Sequence, residues 1–149
     1  MSTTYNFEIS VSKKGDVSST YIIESFLEAG WSLYSEENEI IYTNVGDSDD
    51  FDFLVKTITK EEYLDIANRK EKNNETIALA LFLLEKDYRY RIDIIITPEF
   101  DILISPDDKT KKILISNLKV LDVNWYFLKI LPALSNKNMI IESFSFIQC

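Results

Sequence analysis

Residues 76–97 read TIALALFLLEKDYRYRIDIIIT, and the fold turns on how this stretch is divided. From Thr76 to Leu84 the chain is apolar on every side. Alanine and leucine favour helix, whereas a run with no polar face also suits a strand buried on both sides. Length does not separate the two. The following residues do: Tyr88, Tyr90, Ile92, Ile94 and Ile96 alternate with Arg89, Arg91 and Asp93, which is the period of a strand. Lys86-Asp87 is a two-residue turn, and beyond a second turn at Pro98-Glu99 the residues Phe100 to Ser105 form a third strand. Strands joined this closely pair with their neighbours. The stretch therefore predicts a meander, with the sheet centre at Thr76 to Thr97.

Outward toward the N-terminus, Thr59-Lys60-Glu61-Glu62 has the spacing of a capping box and predicts a helix from Lys60 to about Lys70, with Tyr63, Leu64, Ile66 and Ala67 inward. Phe51, Phe53, Val55 and Thr57 alternate with Asp52, Leu54, Lys56 and Ile58, which predicts a strand, a short helix being the alternative. Trp31 to Tyr34 and Glu39 to Val45 read as a hairpin joined by Ser35-Glu36-Glu37-Asn38. A helix is expected from about Val17 to Ala29, capped by Asp16 or Ser18 and stopped by Gly30, with Ile22, Ile23, Phe26 and Leu27 inward. Tyr5 to Ser12 alternates as an opening strand that Lys13-Lys14-Gly15-Asp16 breaks.

Toward the C-terminus, Pro106 to Lys109 reads as a loop, and Ile113 to Leu118 as a short strand or an extended lead-in. Asp122 caps a helix from Val123 to about Leu134, with Trp125, Leu128, Ile130 or Leu131, and Leu134 inward; Pro132 predicts a kink or an early end. Met139 to Ile147 closes the fold as a strand. The order predicts an α+β protein: a mostly antiparallel sheet with about three helices, two or more packed on one face. The 149 residues make one domain, 1–149, with no linker or repeat.

Composition narrows the function mainly by exclusion. Histidine is absent and the only cysteine is Cys149, which removes the commonest general base, the commonest zinc ligand and any disulfide framework. No glycine-rich phosphate loop, serine elbow or Cys–His pair is present, so no cofactor and no catalytic residue is expected. The net charge of −9 and a pI of about 4.5 oppose binding of nucleic acid or an anionic membrane through a basic surface. The longest apolar runs fall far short of the roughly 20 residues that cross a bilayer, and the N-terminal residues have no basic-then-apolar signal pattern. The expectation is a cytoplasmic protein.

Charge placement is the positive clue. Residues 1–75 carry 16 acidic and 7 basic side chains, while residues 76–149 carry 9 of each. From Glu24 to Asp65 there are 12 acidic side chains against Lys56 and Lys60. Two clusters dominate: Glu36, Glu37 and Glu39, and Asp47, Asp49, Asp50 and Asp52. They flank the predicted strand Glu39 to Val45, which separates them by roughly 20–25 Å at a strand's rise per residue, a span that suits one side of a protein–protein interface. A solvated face that keeps the protein in solution is the plain alternative. Tyr34, Tyr42 and Phe51 stand beside these acids as candidate anchors, with core packing as their alternative.

Other acidic constellations are weaker. Gly46 to Asp50 lacks the glycine at position six and the glutamate at position twelve of a calcium loop, where Ile58 falls. Asp93 and Asp101 on neighbouring strands could form a carboxylate pair able to hold magnesium, but a cross-strand pair with Arg91 explains Asp93 as well.

The opening strand and helix, the strand pair Ile77 to Leu84 and Tyr88 to Ile96, the segment Asp122-Val123-Asn124-Trp125-Tyr126-Phe127-Leu128-Lys129-Ile130-Leu131 and the final strand together resemble, in layout, the immunity proteins of bacterial polymorphic toxins, including those of contact-dependent growth inhibition. The resemblance implies a stoichiometric inhibitor that binds a cognate toxin domain with a basic surface, such as a nuclease cleft. The candidate contacts are Glu36, Glu37, Glu39, Asp47, Asp49, Asp50 and Asp52, with Tyr34 and Tyr42 as anchors. The alternatives are an acidic mimic of nucleic acid, an adaptor domain, and an enzyme using carboxylates.

Overall fold

The computed structural model describes residues 5–12, 17–107, 112–115, 118–135 and 139–148. In chain order its elements are β1 (Tyr5–Val11), α1 (Ser19–Glu28), β2 (Ile40–Tyr42), β3 (Leu54–Lys56), α2 (Lys60–Lys72), β4 (Ile77–Glu85), β5 (Tyr88–Ile96), β6 (Asp101–Pro106), β7 (Lys112–Ile115), β8 (Leu118–Leu121), α3 (Val123–Leu134) and β9 (Ile141–Gln148). Seven strands form one antiparallel sheet in the order β3-β2-β4-β5-β6-β1-β9, and β7 and β8 make a separate hairpin. This is the α+β fold expected.

Residues 76–97 are the middle of it. β4 and β5 pair from Ile77 opposite Ile96 to Glu85 opposite Tyr88. Lys86 and Asp87 turn the chain with φ of 51° and 65°, the two positive values that a tight primed hairpin turn demands. β4 is buried on both faces from Ile77 to Phe82, which is why its sequence has no polar side.

One face of the sheet carries the core. Tyr42, Leu79, Ile94, Ile104 and Phe7 lie in register across five strands. They share one apolar cluster with Ile22, Ile23 and Phe26 of α1, Tyr63 and Ala67 of α2, and Tyr126, Ile130 and Ala133 of α3. All three helices therefore pack on that face. The opposite face presents Asn6, Glu8, Ser10, Arg91, Asp93 and Ser105, each half-buried.

Local signals place the helices. The Ser18 hydroxyl accepts the Tyr21 N–H at 3.1 Å, and Gly30 ends α1 at a φ of +108°. The capping box at Thr59 and Glu62 forms in full. Asp122 caps α3 through the Trp125 N–H. The alternative cap Asp16, the break at Lys13 to Asp16, the loop residues Asp108 and Lys109, and Cys149 lie outside the described residues.

Four expectations need correction. Trp31 to Tyr34 is not a regular strand: Ser32 bonds Phe82 through both backbone groups at 2.7 and 2.8 Å and Tyr34 bridges Ile40, so the segment continues β2's track along β4. The expected strand over residues 51–58 shrinks to β3, because the Asp47 carboxylate takes the amides of Asp50, Phe51 and Asp52 away from any ladder. The short strand or lead-in expected over residues 113–118 is a short strand, β7, with a second strand, β8, paired antiparallel to it from Lys112 opposite Leu121 to Ile115 opposite Leu118. Finally, α3 is turned relative to the expected face. Tyr126, Ile130, Ala133 and Leu134 are buried, whereas Leu128 is 57% exposed. The Tyr126 ring packs on Phe7 at 6.3 Å, and the Trp125 indole N–H reaches Glu85 at 2.8 Å on the rim. Pro132 falls in the last turn and leaves the helix running to Leu134. The amide it lacks would have bonded the carbonyl of exposed Leu128, which water can serve.

Candidate functional site

The acidic residues gather at the sheet edge formed by β2 and β3. Ile40 pairs with Lys56 and Tyr42 with Leu54, so the turn before β2 and the loop between the strands emerge at opposite ends of the hairpin.

At the first end, residues 35–39 make a closed turn. The Ser35 N–H donates to the Glu39 carbonyl at 2.9 Å, its hydroxyl accepts the Glu39 N–H at 3.2 Å, and Asn38 takes a φ of 63°. Glu36 and Glu37 are left exposed, and Glu39 is half-buried.

The second end is built around two charged groups that do not face solvent freely. Asp47 accepts three backbone amides: Asp50 at 3.1 Å, Phe51 at 3.0 Å and Asp52 at 2.7 Å. Beneath it lies Lys70 of α2, whose side chain is 1% exposed. Its ammonium donates to the carbonyls of Asn44 at 2.7 Å and Asp47 at 2.5 Å, and to Glu75 Oε1 at 3.2 Å. Glu75 in turn accepts the Gly46 N–H at 2.8 Å, and the Ser48 hydroxyl accepts the Thr76 N–H at 2.9 Å. Burial works to raise the Glu75 carboxyl. The bonds from Gly46, Lys70 and Asn73 and the Lys70 charge outweigh it and hold the group below the usual glutamate range. The loop is thus stapled from below by an ammonium and from within by a carboxylate. Asp49, Asp50 and Asp52 project from it, exposed.

Lys70 is the residue of the candidate site that sequence reasoning misses, because a lysine in the last turn of a helix reads as solvated. Its spacing is a visible signal: Tyr63, Ala67 and Lys70 stand at i, i+4 and i+7, the stripe of one helix face, and all three are buried.

The aromatic candidates fare differently. Tyr42 is 3% exposed and its ring meets Tyr63 edge-on at 5.5 Å, so it is a core residue and not a surface anchor. Burial, and then the charge of Glu62, raise its hydroxyl pKa. Tyr34 is half-buried; its hydroxyl donates to the Ile58 carbonyl at 3.4 Å, and its own carbonyl accepts Arg89 Nη1 at 3.1 Å. Phe51 is half-buried at the loop's end with a φ of 53°.

Asp47, Asp49 and Asp50 each bring one oxygen within 4.8 Å of the others, a spacing at which they could share a cation. Exposed carboxylates often lie this close without one, and both Asp47 oxygens already serve backbone amides. Asp93 and Asp101 do not converge. Asp93 pairs with Arg91 at 2.8 Å, and Asp101 accepts the Ser10 hydroxyl at 2.7 Å. Asp93 faces Ser105, four residues along β6 from Asp101, or about 13 Å of strand.

Among the described residues no helix is long and apolar enough to cross a membrane. Comparison with known families, with curated proteins and with solved structures gives no match to this chain.

Proposed function

We propose that this chain is a cytoplasmic immunity protein: a stoichiometric inhibitor that binds the basic, phosphate-binding surface of a toxin domain, such as a nuclease, and performs no reaction itself. The observation that supports it most is the stapled loop. Asp49, Asp50 and Asp52 are held outward on a backbone already fixed by Asp47 and Lys70, so little ordering entropy is left to lose on binding. Glu36 and Glu37 add charge at the other end of the same edge hairpin. A cleft that binds phosphates is cationic, and a preformed anionic edge both steers encounter and excludes substrate. Glu39 and Tyr34, half-buried, are secondary contacts. Asp47 belongs to the frame of the loop rather than to its contact surface.

The test is co-expression and pull-down with the toxin-domain product of the neighbouring reading frame, followed by titration calorimetry. A one-to-one complex is expected. Replacing Asp49, Asp50 and Asp52 together with Asn is expected to weaken it at least tenfold and to flatten the dependence of association rate on salt. Affinity and salt dependence unchanged in that variant would reject the acidic edge as the docking surface. No complex at all would reject the inhibitor reading.

A further inference from the structure

The other end of the sheet carries a second interaction surface. β9 pairs with β1 on one side and, among the described residues, with nothing on the other. Its outward groups follow from the ladder. The Val11 N–H donates to Phe100 on the β6 side and the Ser12 N–H to Ile140 on the β9 side, so even-numbered residues of β1 face β9. Asn6, Glu8 and Ser10 stand opposite Ile147, Ser145 and Ser143. The backbone groups of Phe144 and Phe146 between them must point away from the sheet.

Edge strands are usually guarded by charge, proline, brevity or a bulge. β9 has eight residues, no lysine, no proline and one charge, Glu142, which is also the extra residue where the β1–β9 register shifts; from Ser143 to Gln148 the ladder is regular. Exposed apolar side chains occur on and near it. Ile147 is 37% exposed on the strand, Ile140 is 52% exposed just before it, and Leu128 is 57% exposed on α3, next to Phe127, whose ring meets Phe144 at 5.2 Å. The β2–β3 edge contrasts with it in both respects, being three residues long and bracketed by carboxylates.

From these features we infer that β9 is a homodimerisation edge, joining two copies of this chain antiparallel into one continuous sheet. The strand complements itself. With the two-fold axis at Ser145, Phe144 of each copy faces Phe146 of the other as reciprocally bonded pairs. Charge permits a like copy at this edge: β1 and β9 carry one charged side chain each, Glu8 and Glu142, while the aspartate cluster lies at the β2–β3 end. β3 and β9 are six strand spacings apart, about 29 Å. Joined at β9, the two acidic edges lie at opposite ends of the doubled sheet, well beyond a Debye length of about 8–10 Å. Ile147 supplies apolar area that a bare strand edge lacks. The acidic edges stay free, so this inference stands independently of the toxin-binding proposal.

Sedimentation velocity over a concentration series tests it. The wild-type protein is expected at twice 17.4 kDa at about 100 µM and to dissociate on dilution. Ser145 is exposed, so Ser145→Lys and Ser145→Glu leave the core untouched while setting like charges face to face on the axis, at the roughly 5 Å of a directly opposed pair. Each variant alone is expected to weaken the dimer tenfold or more, and an equimolar mixture of the two to restore it. Both variants are needed because Glu8 faces position 145 within the same chain and would partly neutralise the lysine. Amide exchange at Phe144 and Phe146 is expected to slow as concentration rises. A 17.4 kDa species at every concentration, a dimer that both variants preserve, or a mixture no tighter than its components would each overturn the inference, the last two by placing the contact elsewhere.

Discussion

Lys70 is the residue on which the acidic edge rests. A buried ammonium is tolerable only when every proton finds an acceptor, and here Asn44, Asp47 and Glu75 provide them. Removing the ammonium alone takes this donor from two carbonyls and leaves the Glu75 carboxylate without its counter-charge, with only Gly46 and Asn73 still bonding it. Lys70→Met is expected to lower stability by about 3–5 kcal/mol in denaturant titration, a loss that Lys72→Met on the exposed side of the same helix should not show. The pH dependence follows from Glu75. Its carboxyl is held low in the folded state. Its stabilising contribution is therefore complete above the unfolded value near 4.5 and fades as pH falls through the folded value. Glu75→Gln lacks this term, so the stability gap between wild type and variant is expected to narrow on acidification from pH 6 to pH 3. Tyr63 carries the opposite signature. Its hydroxyl is buried with no hydrogen-bond partner among the described residues, and burial pushes its pKa far up. Tyr63→Phe keeps the ring against Tyr42 and removes the orphan group, so it is expected to be neutral or to stabilise by about 1 kcal/mol. None of this chemistry is open to a reader of the sequence. The i, i+4, i+7 spacing shows that Lys70 faces inward, but the demand for a cation there arises from carbonyls 23 and 26 residues away.

Elements are legible in the sequence where a local rule acts alone. The capping box at Thr59, the Ser18 and Asp122 caps, the alternation in β1, β5 and β9 and the two-faced apolar β4 all lie in short windows of sequence. Thr59→Ala is expected to cost about 1 kcal/mol, read from thermal unfolding, with no other element displaced. Local rules fail where another group competes for the same atoms. The alternation of residues 51–58 suits a strand, yet the Asp47 carboxylate captures the amides at its start and leaves three residues for the ladder. In α3 the apolar positions outnumber what one face can hold. Which of Trp125, Tyr126 and Leu128 turns inward is settled by the Phe7 ring on β1 and the Glu85 carboxylate on β4, and nothing within the helix encodes that choice.

At the scale of the whole molecule the sheet is a charge gradient, acidic at one edge and neutral toward the other. The acidic cluster pair is the most legible part of the candidate site, since it needs only the counts along the chain and the position of one strand between two clusters; the place of that strand in the sheet is not legible. The anchors are not legible, because β2 places Tyr42 on the core face by the same alternation that makes it look like an edge residue. Gathering like charges opposes folding even as it favours a cationic partner. Added salt is therefore expected to raise the thermal midpoint of the free protein. Asp49→Asn, Asp50→Asn and Asp52→Asn combined should raise it at low salt while weakening partner binding, whereas Asp47→Asn should lower it by releasing the loop amides. Differential scanning calorimetry at two ionic strengths separates these outcomes.

The enclosed position of Lys70 has one more consequence. An amine with all its protons engaged and 1% of its side chain accessible is sheltered from acylating reagents that attack the free base. Its acquisition of a mass tag, followed beside that of open lysines such as Lys56, Lys72 and Lys86, becomes a clock for how often the acidic loop lifts away from the helix below it. A partner that clamps the loop should slow that clock and leave the reference lysines outside its footprint ticking at their former rate.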